Sequence, residues 1–265
     1  MAEEKTRADE HAEDKVAFEN MHKAPKSTEG GACLTGHNAR RNRRTGRLSP
    51  VSCNYRWQAY KWAADDDSAA YDYPKYKELC GMPSAFPMRM YGDDNGDVTN
   101  LKPHAWDVTG SSKNFQTSCN TPYWHEAHHI VPHGELRDSI AGVGPGPLGA
   151  VYTNLIRGGL LKEEYNLNHK GNMIILPLDD TVAKALGLPR HRQTPGHRSH
   201  KAYSAHVRGR LDEVFGAIRE QEDEHAKLPA YKACRQQIEN ISRTMRSDIK
   251  KAGGEKSLDE AFANK

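Results

Sequence analysis

The sequence of 265 residues lacks long hydrophobic runs, and its cysteines are few and scattered. No apolar stretch approaches the ~20 residues of a membrane-spanning helix, so we expect no membrane association. The charged first residues contain no apolar segment typical of a secretory signal, so we expect a cytoplasmic location in the producing cell unless a dedicated secretion system exports the protein. Five cysteines, an odd number, argue against a disulfide framework and favour a reducing compartment. Cys33 and His37, followed by Cys53, are candidates for the start of a zinc site, but their spacing matches no typical ligand pattern. Isolated cysteines more often act as small core residues, which is the favoured interpretation.

Hydrophobic residues are also scarce, at 36% of the sequence with a mean hydropathy of −0.86. This content is low for a single compact globule and predicts one core with polar, loosely ordered flanks. Length alone permits one large domain or two modest ones. We divide the chain into a flexible charged N-terminal segment (1–48), an aromatic-rich accessory region (49–117), a histidine-rich domain (118–225), and a C-terminal helix and tail (226–265).

Positive charge is small in total but concentrated in two places. The formal net charge is +3, which by itself says little about partners. One short segment contains five arginines, Arg40, Arg41, Arg43, Arg44 and Arg47. Between Asp180 and Asp212 no acidic residue interrupts a second set of lysines and arginines. Patches of one sign are typical of proteins that bind a phosphate backbone, although a solvated basic face has the same composition.

Hydrophobic periodicity predicts two strands and several helices. The strands are 127–131, closed by Pro132, and 172–177. The clearest helix is 199–220, whose apolar stripe at helical spacing includes Val207, Leu211 and Phe215. Further helices are predicted at 3–21, 55–64, 151–162 and 230–250, the third of them interrupted at Gly158-Gly159. The order in the histidine-rich domain is therefore strand, long loop, strand, helix.

Histidine is the most informative residue type in this sequence. Nine of the 14 histidines lie between His125 and His206, and four of them fall in the run 125–133. With an ordinary pKa near 6.5, an imidazole can either ligate a metal ion or accept a proton close to neutral pH. His128 and His129 would point to opposite faces of a regular strand. They can share one site only where the strand ends, and Pro132 supplies such an ending.

A second group of histidines lies at the start of the predicted helix 199–220. Its members are His191, His197, His200 and His206. His197 and His200 are three residues apart, so they can share a helical face and present two nitrogens to one metal ion. Glu126 is a candidate hydrogen-bond partner for an imidazole. His125, His133 and His206 are expected to support the site or to pack rather than to bind metal.

Three segments of the histidine-rich domain resemble those of the HNH nucleases in residue type and in order. They are Ala127-His128-His129-Ile130-Val131-Pro132, Asn168-His169-Lys170-Gly171-Asn172 with the strand that follows, and His197-Arg198-Ser199-His200-Lys201-Ala202-Tyr203. They are most similar to the Ala-His-His subgroup of the HNH/endonuclease VII superfamily, which is frequent among bacterial toxin and effector nuclease domains. The resemblance covers about residues 123–214. It implies an α+β fold in which a ββα-metal finger is embedded in a mainly helical, loop-rich domain.

The resemblance assigns roles by position. His128 matches the first metal ligand, His129 the general base, and Asn172 the residue that orients the base. His200 matches the ligand on the helix, and His197 would be the remaining ligand, although many relatives space these two histidines four residues apart rather than three. Flanking phosphates are expected to contact the nearby basic residues Arg190, Arg192, Arg198 and Lys201. The implied cofactor is one divalent metal ion, Zn²⁺, Mg²⁺, Mn²⁺ or Ni²⁺.

The expected function is a metal-dependent endonuclease that hydrolyses phosphodiester bonds of DNA, with RNA as the other candidate substrate. The subgroup further implies an antibacterial toxin or secreted effector, countered by an immunity protein and delivered through a secretion apparatus or adaptor that binds the N-terminal region. One alternative is a housekeeping or phage endonuclease of the same type. Another is a non-catalytic, zinc-stabilised nucleic-acid-binding module. Catalysis is favoured because a closed structural zinc site fills all four positions with protein ligands, which leaves no use for a free histidine beside a ligand.

Overall fold

The elements of the chain are described from a computed structural model, which covers residues 7–23, 28–35, 41–71, 108, 114–144, 146–194, 200–220 and 231–265. Two strands in this part of the chain are β1 (His125–His129) and β2 (Met173–Pro177). The α-helices are α1 (Arg7–Ala17), α2 (Tyr55–Asp65), α3 (His133–Ala141), α4 (Gly149–Lys162), α5 (Asp180–Leu186), α6 (Lys201–Glu220), α7 (Tyr231–Ala252) and α8 (Leu258–Phe262). Among the described residues, no helix is both long and apolar enough to span a membrane.

The two strands and α6 form a ββα unit. Strands β1 and β2 pair antiparallel, with His129 opposite Met173 and His125 opposite Pro177. All five residues of β2 are buried, so this strand lies at the centre of the core. The apolar stripe of α6 is buried as its spacing predicts, and the hydroxyl of Tyr203 donates to the carbonyl of Ile130 at 2.5 Å. The predicted α+β fold with a ββα finger among helices is thus confirmed.

Helix α2, in the described first part of the aromatic-rich region, packs on the sheet. Its first turn is capped by Asn54, whose side chain accepts a hydrogen bond from the Trp57 amide at 3.4 Å. Ala59 and Ala63 are fully buried, and their small side chains let the helix pack closely on the strands. Because α2 crosses the sheet at this point, residues of its first turn lie beside the end of β1.

The described residues before position 48 pack on the same core as those after it. Cys33 pairs with Asn166 in a single parallel bridge, and Ala32 and Leu34 on either side of Cys33 are buried in the core. On α1, the carboxylate of Asp14 forms a buried ion pair with Arg157 of α4. The domain boundary at 48 stays a prediction, but these contacts do not fit a flexible segment.

The predicted interruption of α4 is wrong. The helix runs without a break from Gly149 to Lys162, through both glycines. A methyl group at Gly158 would lie 3.2 Å from the ring of Phe18, and one at Gly159 would overlap the ring of Tyr231. The glycines therefore serve close side-chain packing rather than a helix break. Helices α3, α5 and α8 are short and were not predicted. Because α3 precedes α4, the predicted long loop between the strands contains two α-helices.

Candidate active site

A cavity of about 550 Å³ opens beside the end of β1. His128 and His129 both line it, although neighbouring residues of a regular strand point to opposite faces. They can do so because β1 ends at His129 and the chain turns through Pro132 into α3. The wall is completed from other parts of the chain by Tyr55, Arg56, Glu126, His191 and His200.

Three histidines converge on one point of this cavity. His128 comes from β1, His191 from the loop after α5, and His200 from the residue directly before α6. One ring nitrogen from each lies within 4.8 Å of the others, and His128 Nδ1 is 3.1 Å from His191 Nε2. Two nitrogens bound to one tetrahedral ion at ~2.1 Å are themselves ~3.4 Å apart. The cluster therefore fits a single divalent metal ion.

The protonation of these rings suits metal binding. Burial, together with the neighbouring histidines, holds the pKa of His128 well below its ordinary value. Burial first, and His191 second, lower the pKa of His200 to about 4. Both rings are therefore neutral at neutral pH and keep a lone pair for a metal ion.

Glu126 sets the orientation of His191. Its Oε2 lies 2.8 Å from His191 Nδ1, so Nδ1 carries the proton and Nε2 presents its lone pair toward His128. The other carboxylate oxygen is paired with Arg192. Burial would raise the pKa of Glu126, but the hydrogen bond from His191 and the charge of Arg192 outweigh burial and lower it. Glu126 thus stays ionised and fixes the third histidine of the cluster.

Local structure positions the two histidines of the cluster that come from outside β1, His191 and His200. The backbone amide of His191 donates to the carbonyl of Pro177 at 2.8 Å, so the loop after α5 follows the end of β2. The carbonyl of His200 accepts from the amide of Ser204 at 2.9 Å, which starts α6. Asp259 of α8 caps that helix by accepting from the Ala202 amide at 2.7 Å.

Asn168 orients His129, the predicted general base. Its Oδ1 is 2.9 Å from His129 Nε2, and its Nδ2 donates to the carbonyl of Thr35 at 2.9 Å. Because a carbonyl only accepts, the second bond fixes the amide so that Oδ1 faces the imidazole. His129 must then carry its proton on Nε2, which leaves Nδ1 as the basic nitrogen. The ring of Tyr55 lies 5.3 Å from that of His129, centroid to centroid.

Asn172, predicted to orient the base, has a different set of partners. It is fully buried, and its Oδ1 accepts from the Val131 amide at 2.7 Å. Its Nδ2 donates to the carbonyls of Val131 and Leu167, at 3.1 and 2.8 Å. Its Oδ1 also accepts from the hydroxyl of Ser242 on α7 at 2.8 Å. The Asn172 side chain therefore ties the end of β1 to the segment before β2 and to α7, and the contact to His129 belongs to Asn168.

The four residues predicted to contact nucleic acid differ in their surroundings. Arg190 is 4% exposed, and its Nη1 donates to the carbonyl of Gln193 at 3.1 Å, so it does not face solvent as a phosphate-binding side chain must. Arg192 is paired with Glu126 and has a side chain that is 16% exposed. Lys201 is exposed at the first residue of α6. Arg198 and the predicted ligand His197 lie outside the described residues.

The remaining histidines of the domain contact other protein groups rather than the three-histidine cluster. His125 is buried, and its Nδ1 donates to the carbonyl of Tyr123 at 2.8 Å. Burial lowers the pKa of His125 to about 3 and that of His169 to about 4. His133 begins α3 and lies 3.0 Å from a carboxylate oxygen of Glu10. His206 is half-buried on α6, 5.5 Å from the ring of Phe262.

Three residues that line the cavity, His191, Tyr55 and Arg56, and the asparagine that contacts His129, Asn168, were not among the predicted site residues. His191 belongs to the second histidine group. It was not predicted as a ligand because it lies in a loop before the helix, outside the helical spacing that suggested His197 and His200. Asn168 lies within a segment that carries the family resemblance, so the sequence offered it as a second asparagine beside Asn172. Tyr55 and Arg56 come from α2, more than 60 residues before β1, and no local pattern in the sequence points to them.

Comparison with known protein families agrees with this geometry. Residues 109–244 match the family described as AHH, a nuclease family of the HNH/ENDO VII superfamily with a conserved AHH. The match contains β1, β2 and α6 but not α2 or the segment around Cys33. No curated protein and no solved structure matches the chain. With Ala127-His128-His129 on β1 beside a three-histidine cluster, and with half of its length matched, the chain belongs to the AHH nuclease family and is a metal-dependent nuclease of the HNH/endonuclease VII superfamily.

Proposed function

We propose that this nuclease is an endonuclease that hydrolyses phosphodiester bonds of DNA. In this proposal His128, His191 and His200 hold the metal ion, and His129 is the general base. The observation that carries it is that the three-histidine cluster shares one cavity with a fourth histidine oriented by Asn168. His197, three residues before His200, remains a candidate for a further ligand.

His129 takes the proton from the attacking water at Nδ1. Asn168 keeps the proton of the neutral ring on Nε2, so the basic nitrogen is defined before substrate binds. A divalent ion, when bound, supplies Lewis-acid stabilisation of the charge that develops on the phosphoryl and leaving oxygens. Positioned general-base catalysis contributes ~10²–10⁴-fold in rate.

Arg56 binds the phosphate that is cleaved. It lies on the first turn of α2 and lines the cavity, and its Nη2 is buried without a hydrogen-bond partner among the described residues. Burial lowers the pKa of Arg56, and the charge of Arg41 acts in the same direction. A phosphate oxygen would satisfy the buried donor and neutralise both charges.

The arginine-rich turn at 41–47 contacts the flanking phosphates. Arg43 and Arg44 are exposed in this turn and Arg47 is half-buried, while Arg41 is close enough to Arg56 to affect its pKa. Counterion release from such contacts makes binding weaker as the salt concentration rises. With Lys201 on α6, this turn replaces Arg190 and Arg192 as the proposed contact surface for nucleic acid.

We further propose that the protein acts as an antibacterial toxin or secreted effector. Support comes from the Ala-His-His subgroup, which is frequent among such nuclease domains. Its producer would then need an immunity protein, and an acidic one would complement the arginine-rich turn. The N-terminal region is the proposed docking point for a secretion apparatus or adaptor. Bacteria that express the nuclease should survive only when they also express a small acidic protein encoded by a neighbouring gene. This result would support the proposed role.

Cleavage of supercoiled plasmid tests the enzymatic proposal. The full-length protein, stripped of metal and then given Mg²⁺, Mn²⁺, Zn²⁺ or Ni²⁺, should nick or linearise the plasmid, and a chelator should stop it. His129→Ala should abolish cleavage yet retain metal, whereas Arg56→Ala should lower kcat/KM by ~10²-fold. Arg243→Ala, an exposed residue of α7, is the matched control and should have no effect.

The substrate is decided by running single-stranded DNA and structured RNA in parallel. Faster cleavage of RNA than of plasmid would contradict DNA as the substrate. Intact plasmid and RNA under every metal ion, with His129→Ala indistinguishable from the unmodified protein, would contradict the proposed mechanism altogether.

A further inference from the structure

A second cluster of metal-binding side chains lies in the N-terminal part of the chain. It consists of His11 on α1, His22 in the turn that follows α1, and Cys33 in the segment bridged to Asn166. One ligand atom from each lies within 4.8 Å of the others. None of the three lines the active-site cavity, and all lie before the part of the chain that matches the nuclease family.

Burial makes this arrangement costly without a metal ion. His22 is 5% exposed, and neither of its ring nitrogens has a hydrogen-bond partner on another described residue. Cys33 is fully buried, and the rings of His11 and His22 meet nearly at right angles with centroids 4.6 Å apart. A buried polar group without a partner is unfavourable, and native structures avoid it. A metal ion that binds the lone pair of one ring nitrogen of His22 would lower this cost.

We propose that His11, His22 and Cys33 bind a structural zinc ion. One thiolate and two imidazoles form a donor set that suits Zn²⁺, whereas Mg²⁺ prefers oxygen ligands. Cys33 releases its thiol proton to solvent as the thiolate binds the ion. The carboxylate of Asp14 is near His22 and Cys33, and only its Oδ1 is paired with Arg157. Its Oδ2 is buried without a hydrogen-bond partner among the described residues, so Asp14 is the candidate for the fourth position of the tetrahedron.

The zinc ion would hold the segment around Cys33 against the active site. Asn168 Nδ2 donates to the carbonyl of Thr35 at 2.9 Å and lies 3.6 Å from Cys33 Sγ, while its Oδ1 binds His129. The same asparagine therefore contacts a zinc ligand and the proposed base. This link rests on the proposed role of His129, but the zinc site itself does not.

Cobalt substitution tests the site on the metal-stripped full-length protein. Because a thiolate ligand gives Co²⁺ an intense charge-transfer absorption in the near ultraviolet, we expect this band to rise to saturation at one equivalent per site. It should disappear in Cys33→Ser and weaken strongly in His22→Asn. It should persist in Cys53→Ser, a buried neighbour, in Cys119→Ser, whose side chain lines the active-site cavity, and in His200→Ala.

Two results would overturn the proposal. One is the absence of a thiolate band in the unmodified protein, which decides the matter even where Cys33→Ser fails to fold. The other is a band that survives Cys33→Ser and is lost in Cys119→Ser, which would place the thiolate in the active site.

Zinc content gives an independent measurement. In His128→Ala/His200→Ala, which lacks two proposed catalytic ligands, one zinc ion per chain should remain by mass spectrometry, and adding His11→Asn should remove it. No zinc in the double variant would contradict the second site. Plasmid cleavage stays a separate readout: an inactive protein with an intact cobalt band would overturn the nuclease mechanism but not the zinc site.

Discussion

A single hydrogen bond at His129 decides which nitrogen of the imidazole can act as a base. Asn168 makes this bond and is in turn fixed by the carbonyl of Thr35. Asn172 lies only four residues further along but binds backbone groups of Val131 and Leu167 instead. We therefore expect the two asparagines to have separable effects, Asn168 on catalysis and Asn172 on folding.

Substituting each asparagine by alanine separates these effects. Asn168→Ala should lower kcat by ~10–100-fold, with a shifted pH profile and a nearly unchanged KM, because His129 loses its orientation but stays in place. Asn172→Ala should mainly lower the free energy of unfolding, by ~2–4 kcal/mol, because it leaves buried backbone groups unpaired. Steady-state kinetics and denaturant unfolding of both variants provide the measurements. Equal losses of kcat per folded molecule in the two variants would contradict the division.

At the scale of elements, helix α4 is held by close contacts at its glycines. Gly158 accepts the ring of Phe18 from the turn after α1, and Gly159 accepts the ring of Tyr231 from the start of α7. Both contacts come from distant parts of the chain. This is why glycines that predict a break in an isolated helix lie inside a continuous one.

Gly159→Ala and Gly209→Ala form a matched pair that tests this explanation. Both residues are within helices, but a methyl group at Gly209 of α6 has no heavy atom within 4 Å. We expect Gly159→Ala to lower the free energy of unfolding by ~1–3 kcal/mol through overpacking against Tyr231. Gly209→Ala should raise it by up to ~1 kcal/mol through helix propensity. Denaturant unfolding measures both, and stabilisation by the two substitutions alike would show that Tyr231 does not pack closely.

For the whole molecule, buried neutral histidines connect stability with pH. Burial lowers the pKa of His169 from 6.5 to about 4. Below pH 6.5 the unfolded chain therefore binds a proton that the folded chain does not, so protonation favours unfolding. The contribution of this group is complete above pH 6.5 and is lost as the pH falls toward 4.

His169→Phe should reduce this loss, because it keeps an aromatic ring and removes the titration. Between pH 7 and pH 4 the unmodified protein should lose up to ~3 kcal/mol more free energy of unfolding than the variant, since one pKa unit corresponds to ~1.4 kcal/mol. Carboxylates that titrate in the same pH range contribute equally to the stability of both proteins, so their contribution cancels in the difference. Parallel pH profiles of stability would contradict the prediction.

Local patterns of residues determined much of the fold. The stripe on α6 repeats at helical spacing, and each of the two predicted strands is a short run closed by a proline, so their element type could be predicted without the rest of the molecule. The Ala-His-His string and the order of the motifs likewise pointed to the nuclease family. Boundaries shifted by a few residues, and the short helices α3, α5 and α8 were missed because too few turns repeat in each of them.

Only the tertiary structure decided which side chains meet at the proposed active and zinc sites. His191 reaches His128 across 63 positions of sequence, and Asn168 reaches Thr35 across 133. Arg56 and the three residues of the proposed zinc site lie outside the matched region altogether. These contacts depend on how α1, α2 and the sheet pack together. Packing between distant segments produces no regular spacing of residues in the sequence, so it could not be predicted. The sequence by itself therefore determined the ββα finger and its family, because these depend on local patterns and motif order. Long-range packing selected the third histidine of the cluster, the partner of the proposed base and the arginine proposed to bind phosphate.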